Sequence, residues 1–296
     1  MHKKSAVFTL LTFLVACTSL LGQLPKTEVY VAEFKNLFSK PQVLSLKYLN
    51  SYNKKGYNNQ PRFISYDEIM LTSAIDTHQI TDIYQLNLRT EEIFRVTATD
   101  QISEFSPAPA PGSGHFTCVR IEADGKDQSL WQYPNDRSST GKRLLPNLKN
   151  VGYYTWLGKD TVAVFLVGST NTLAIANTMT QKVDVVLDDI GRCLKNGPDG
   201  NLYLVHKTRP DAWILKSYHI KDKAMTTITQ MPQGCEDFEI LSNGAFVTGS
   251  GSVLRIFNPE KEKQWITLAD FKEKGITGIS RITASRDRIA FVNTKK

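Results

Sequence analysis

The sequence predicts an all-β fold, a six-bladed β-propeller of four-stranded antiparallel blades, and three observations carry that prediction. A strand, tight turn, strand pattern recurs six times. With Ile69, Phe116, Val162, Leu202, Ala245 and Ile289 as equivalent positions, the intervals are 47, 46, 40, 43 and 44 residues, close to the length of one propeller blade. A second hairpin follows the first within the repeats, so each repeat holds four strands. Finally, the last copy stops at Lys296 after two strands, while the chain opens with two strands that belong to no repeat.

The basic head Met1-His2-Lys3-Lys4 precedes an apolar run over residues 6–16, shorter than the ~20 residues of a membrane-spanning helix. Residues 1–22 therefore read as an export signal. A spanning helix would have to include the polar Cys17-Thr18-Ser19, and no later segment is apolar enough to cross a membrane. Leu14-Val15-Ala16-Cys17 resembles the lipobox of bacterial lipoproteins, in which the cysteine, here Cys17, carries the lipid. The competing expectation is cleavage near Gly22-Gln23 and a soluble exported product, because Leu20-Leu21 stand where a lipoprotein has a polar tether.

Residues 29–34 and 43–49 are the two strands without a blade. Blade one follows in residues 62–71, with a second hairpin made by 83–88 and 93–96 around Arg89-Thr90. Blade two holds residues 104–107 and 115–119, separated by a proline-rich expansion over 107–114. Residues 154–164 begin blade three. Blade four starts at 193–204 around Asn196-Gly197-Pro198-Asp199-Gly200 and continues in 214–220 and 225–229. Blade five runs through 238–247, 253–257 and 264–268, and blade six through 281–291. Gly, Asn and Asp occupy the turns because they tolerate positive φ, and β-branched and aromatic residues flank them on half-buried pleated surfaces. An unpaired sixth blade would expose a sheet edge to aggregation. The opening strands are therefore expected to pair with the final hairpin, making a single domain over 27–296 whose last blade is shared by 27–50 and 276–296.

Phe105-Ser106-Pro107 and Gly197-Pro198-Asp199-Gly200 each preserve half of the Phe-Ser-Pro-Asp-Gly turn of one propeller family. On these motifs and the repeat, the chain resembles the TolB-type, or WD40-like, six-bladed propellers of bacterial envelopes. It is also similar to the propeller that caps prolyl-oligopeptidase enzymes. The resemblance covers residues 27–296 and implies a periplasmic, secreted or outer-membrane-associated binding module.

Without the leader the chain keeps Cys118, Cys193 and Cys235, an odd number that cannot all pair internally. Cys193 and Cys235 lie near the starts of inner strands of adjacent blades, so one bridge between them and three buried free thiols are both open. The formal charge of +7 loses two units with Lys3 and Lys4, and the remaining lysines are scattered. With no Arg-rich helix and no basic-aromatic alternation, nucleic acid is not an expected partner.

In a propeller the first strand of each blade lines the central channel, and the loops entering those strands form the usual binding face. Arg62, Glu104, Tyr153, Tyr154, Arg192, Glu236, Asp237 and Arg281 fall at that rim. Arginines there suit a carboxylate or peptide terminus, and the three carboxylates suit its amines; mutual pairing around a water-filled tunnel is the structural alternative. Six-bladed lactonases of the gluconolactonase type bind calcium at this rim, but the arginines would put positive charge beside the ion, and no metal site is expected. No catalytic residues are assigned: the chain has no Gly-x-Ser-x-Gly elbow, and His78, His115, His206 and His219 are spread over different blades. Tyr52, Tyr57, Tyr153 and Tyr154 are candidates for exposure, and the Tyr- and Asn-rich loop over residues 51–60 is a candidate for sugar stacking. The leading expectation is a non-enzymatic propeller binding a protein or peptide in the cell envelope, without a cofactor. The alternatives are a metal-dependent lactonase-like hydrolase and a carbohydrate-binding surface protein.

Overall fold

The computed structural model describes residues 24–75, 78–112 and 114–295. The leader and Cys17 lie outside the described residues. Twenty-four strands make six four-stranded antiparallel sheets, with one 3₁₀ turn at Lys272–Lys274 among the described residues. The chain begins with β1 (Thr27–Lys35) and β2 (Gln42–Tyr48). Blade one is β3 (Tyr57–Phe63), β4 (Glu68–Ala74), β5 (Asp82–Asn87) and β6 (Ile93–Arg95). Blade two is β7 (Ser103–Pro109), β8 (His115–Ile121), β9 (Gln128–Pro134) and β10 (Lys142–Arg143). Blade three is β11 (Val151–Trp156), β12 (Thr161–Leu166), β13 (Thr172–Asn177) and β14 (Val183–Leu187). Blade four is β15 (Ile190–Asn196), β16 (Leu202–Arg209), β17 (Ala212–Tyr218) and β18 (Met225–Gln230). Blade five is β19 (Phe238–Ile240), β20 (Phe246–Ser250), β21 (Val253–Phe257) and β22 (Ile266–Asp270). The chain ends with β23 (Ile279–Ser285) and β24 (Arg288–Thr294).

Blade six has the strand order β2-β1-β24-β23, so the two ends of the chain close the ring as strand counting predicts. Val29 faces Val292 and Val31 faces Ala290 across the β1–β24 ladder. These four pack toward blade one, whereas Ala32, Phe34, Ile289 and Phe291 pack toward blade five. The register is strongly specified because a slip of one residue would exchange the two apolar faces.

Each pair of neighbouring blades shares one buried apolar cluster, and the six clusters run right around the ring. In each, side chains from facing sheets interdigitate, as Val119 and Leu130 of blade two do with Val162 and Val164 of blade three. No blade has a core of its own.

The inner strand of blade one starts at Tyr57 and not at Arg62, where the repeat pattern placed it. Asn58 and Asn59 are poor strand formers, but buried Asn58 is held by a network of amides. Its Nδ2 donates to the Thr27 and Asn53 carbonyls at 3.0 Å, and its Oδ1 accepts from Ser73 Oγ and Asn53 Nδ2 at 3.0 Å. Tertiary hydrogen bonds tying blade six to blade one thus override local preference. Tyr57 is consequently buried, with its ring 6.4 Å from that of Phe105, and the Tyr52 hydroxyl is engaged with Ser73 Oγ at 2.8 Å. Cys118, Cys193 and Cys235 are free thiols, and burial raises the pKa of each.

Candidate functional site

The strands β3, β7, β11, β15, β19 and β23 surround the axis and line a cavity of about 360 Å³. In β3, β7, β11, β15 and β23 the ladder with the next strand is interrupted by a bulge. At three of these bulges Gln60, Ser106 and Arg281 take φ of 52°, 55° and 53°. A bulge leaves a residue unpaired and bends the strand, which here turns side chains into the channel. Acceptors on neighbouring blades take up the freed amides. Ser106 N donates to Gln60 Oε1 at 2.9 Å, Arg192 N to Glu236 Oε2 at 3.2 Å, and Arg281 N to Asp237 Oδ2 at 3.1 Å. The bulges therefore stitch blade to blade around the axis.

The charges of the channel form a connected group on one side. Arg192 binds Asp237 at 2.5 Å and also engages Glu236, which Lys207 holds at 2.8 Å. Arg281 lies 3.7 Å from Asp237 and donates to the Tyr153 hydroxyl at 2.8 Å. Lys195 binds Glu239 at 2.7 Å. Burial alone would raise the Asp237 carboxyl; the Arg281 and Arg192 guanidiniums and the Arg281 amide overcome it and hold the group below its ordinary value. Tyr154, whose phenol burial keeps protonated, donates to the Ser106 carbonyl at 3.1 Å and lies 2.9 Å from Thr117 Oγ1. Arg62 stands apart. It is half-buried in the channel wall, and among the described residues its guanidinium has no ion pair and no hydrogen bond.

No protein-family model and no curated protein sequence matches the chain. Solved structures do. A putative TolB from Agrobacterium tumefaciens superposes with a TM-score of 0.66 at 12% identity, covering 92% of this chain and 99% of that one. TolB from Acinetobacter baumannii gives 0.58 at 15%, covering 83% of this chain and 66% of that one. The chain has the TolB-like six-bladed propeller fold. Puromycin hydrolase, as its S511A mutant complexed with PGG, matches at 0.58 and 14%, covering 92% of this chain; the TolB-like propeller spans 50% of the hydrolase.

Of the eight rim residues read from the sequence of this TolB-like propeller, Arg62, Tyr153, Tyr154, Arg192, Asp237 and Arg281 line the channel. Glu236 adjoins it through Arg192. Glu104 does not reach it. The bulge after Phe105 turns residues 106–108 to the axis, while Glu104 stays on the sheet face and is fully buried against blade one. Gln60, Lys195 and Glu239 line the channel without having been read from the sequence. The signal for Gln60 was available: Gln60-Pro61 and Ser106-Pro107 put a proline, which cannot donate to a ladder, at matching inner-strand positions.

The Glu104 carboxyl accepts from Thr99 Oγ1 at 2.6 Å and Thr97 Oγ1 at 3.3 Å, next to the buried Asp82, which pairs with Arg95 at 2.6 Å. Burial, with the Asp82 charge second among the raising influences, pushes Glu104 up from 4.5 to about 7. A raised folded pKa means that the native state holds a proton the unfolded chain has lost. This contribution to stability is complete below pH 4.5 and disappears as pH rises through about 7. Wild-type protein should lose roughly 3 kcal/mol across that window. The Glu104→Gln variant should show a flatter urea-unfolding profile from pH 5 to 8; equal slopes for both proteins would refute the assignment.

Proposed function

We propose that this protein is an exported, non-enzymatic binding propeller of the cell envelope. It engages a protein or peptide through the channel-rim face, and Arg62 receives an anionic group of that partner. The observation that carries the reading is the unmatched Arg62 guanidinium in a wall whose other charges are satisfied by one another. A partly desolvated guanidinium attracts a carboxylate and fixes it by paired hydrogen bonds. A cavity of about 360 Å³ suits a short extended end or a side chain of the partner. The apolar leader over residues 1–22 supports export.

The likeness to puromycin hydrolase covers 50% of that protein at 14% identity and therefore bears on the fold and not on an activity. A calcium-dependent lactonase draws little support, because Glu236 and Asp237 are already neutralised by Arg192, and Glu104 is outside the channel.

A photo-crosslinking residue at exposed Pro109, on the channel lining, tests the proposal in intact envelopes of the native host. One dominant partner should be captured, and Arg62→Gln should reduce its capture by at least about tenfold, the loss of one charge-assisted contact. The substitution is chosen over changes at Arg192 and Arg281 because those two also hold blades together. Undiminished capture by a folded Arg62→Gln protein would sink the proposal.

A further inference from the structure

Charge divides the channel lining into two arcs. Blades four, five and six supply Arg192, Lys195, Asp237, Glu239 and Arg281, whereas the lining residues of blades two and three carry no charge. In the uncharged arc, half-buried Ala108 and Trp156 and exposed Pro109 present apolar surface to the cavity. Arg62 comes from blade one, which packs against blade two, and no lining residue of either blade is a carboxylate. Its charge is felt on the uncharged side. Burial dominates the raised pKa of the Tyr154 phenol in blade three, and the Arg62 guanidinium works against it.

The shape and charge of the cavity restrict what can enter. Inner strands of all six blades surround it, so a chain can enter only along the axis. An internal segment would have to run in and return, two passes of chain about 4.8 Å apart, in a cavity of about 360 Å³ at the small end of ligand sites. A single extended end needs one pass. The lining sets Arg62, Arg192, Lys195 and Arg281 against Asp237 and Glu239, four cations against two carboxylates. Glu236 and Lys207, beside the lining, cancel one another at 2.8 Å. The surplus positive charge repels an N-terminal ammonium and attracts a C-terminal carboxylate, both of whose oxygens one guanidinium can take.

On the reading that the channel rim is the binding face, we infer that the channel takes the C-terminus of an extended peptide, with its carboxylate on Arg62 and an apolar last side chain against Ala108, Pro109 and Trp156. Isothermal titration of the full protein with four N-acetylated tetrapeptides tests this. The first is Ala-Ala-Ala-Phe as the free acid, and the second is its C-terminal amide. The third, the amide of Ala-Asp-Ala-Phe, moves the carboxylate inside the chain, and the fourth, Ala-Ala-Ala-Ser as the free acid, removes the apolar end. The phenylalanine acid should bind saturably, and the other three at least about tenfold more weakly, through loss of a charge-assisted contact or of apolar burial. Arg62→Gln, verified as folded by its thermal melt, should bring the phenylalanine acid down to the affinity of its amide. The acid–amide comparison on the wild type needs no variant. If the internal-aspartate amide binds in place of the free acid and Arg62→Gln removes that binding, the channel reading stands and the C-terminal assignment falls. The assignment also falls if no peptide saturates, if acid and amide bind alike, if the serine acid matches the phenylalanine acid, or if Arg62→Gln changes no affinity. Crosslinking capture at Pro109 judges the channel reading separately.

Discussion

A chain ending at Gly278 should fail to fold, although it retains five complete four-stranded blades. Removal of β23 and β24 strips Ile279, Ile282, Ile289 and Phe291 from the cluster against blade five, and Ala290 and Val292 from the cluster against blade one. It also leaves β1 and β2 as an isolated hairpin, which is marginal by itself. Since every apolar cluster is shared between neighbours, the loss does not stop at blade six; both adjoining blades become open faces. The expected result is loss of the cooperative thermal transition in circular dichroism, with an expanded or aggregated species on size exclusion. Phe291→Ala provides a graded version. Phe291 is fully buried, stacked 5.9 Å from Tyr30 and 5.6 Å from Phe271, and its truncation should cost about 3–5 kcal/mol. A truncated protein that melts cooperatively near the wild-type temperature would disprove closure by the chain ends.

Asp237→Ala should be nearly as damaging as any single core truncation. Asp237 is 8% exposed, and its carboxylate serves Arg192, the Arg281 side chain and the Arg281 amide at the same time. Its removal leaves Arg281 without a carboxylate, Arg192 with Glu236 alone, and a bulge amide without an acceptor. Breaking such a buried pair costs about 3–5 kcal/mol, lowering the melting temperature by roughly 10 °C in a domain of this size. Asp211→Ala removes an exposed ion pair with Arg209 and should change stability by less than about 1 kcal/mol. Asp237 also has the opposite pH signature to Glu104. Its depressed folded pKa means that stability is present above the unfolded value near 3.8 and is lost on acidification through the folded value. The wild type should therefore show an acid limb that Asp237→Ala lacks. Equal melting of Asp237→Ala and Asp211→Ala would show that the channel charges are not structural.

The fold was legible because propeller geometry writes itself twice into the sequence, as a repeat of near-constant length and as alternation within each strand. Val29 and Val31 against Ala32 and Phe34 show both faces of one strand committed to different neighbours. The start of β3 was not legible, since Asn58 is stabilised by partners on Thr27, Asn53 and Ser73 that no local pattern announces. The channel was readable only to the accuracy of a strand without bulges. Arg192 and Asp237 occupy related positions in consecutive repeats and meet, whereas Glu104 sits before an inserted residue and is carried to the other side of its sheet. The three arginines looked equivalent in the sequence. What separates Arg62 from Arg192 and Arg281 is the presence of a carboxylate within reach, a fact of distance and not of motif.

Thr27 and Thr294 are direct partners in the β1–β24 ladder. Whatever is joined to this protein at its front or at its back thus departs from nearly the same spot on the rim of one blade. Moving a tag from one end to the other would therefore leave it attached at the same blade.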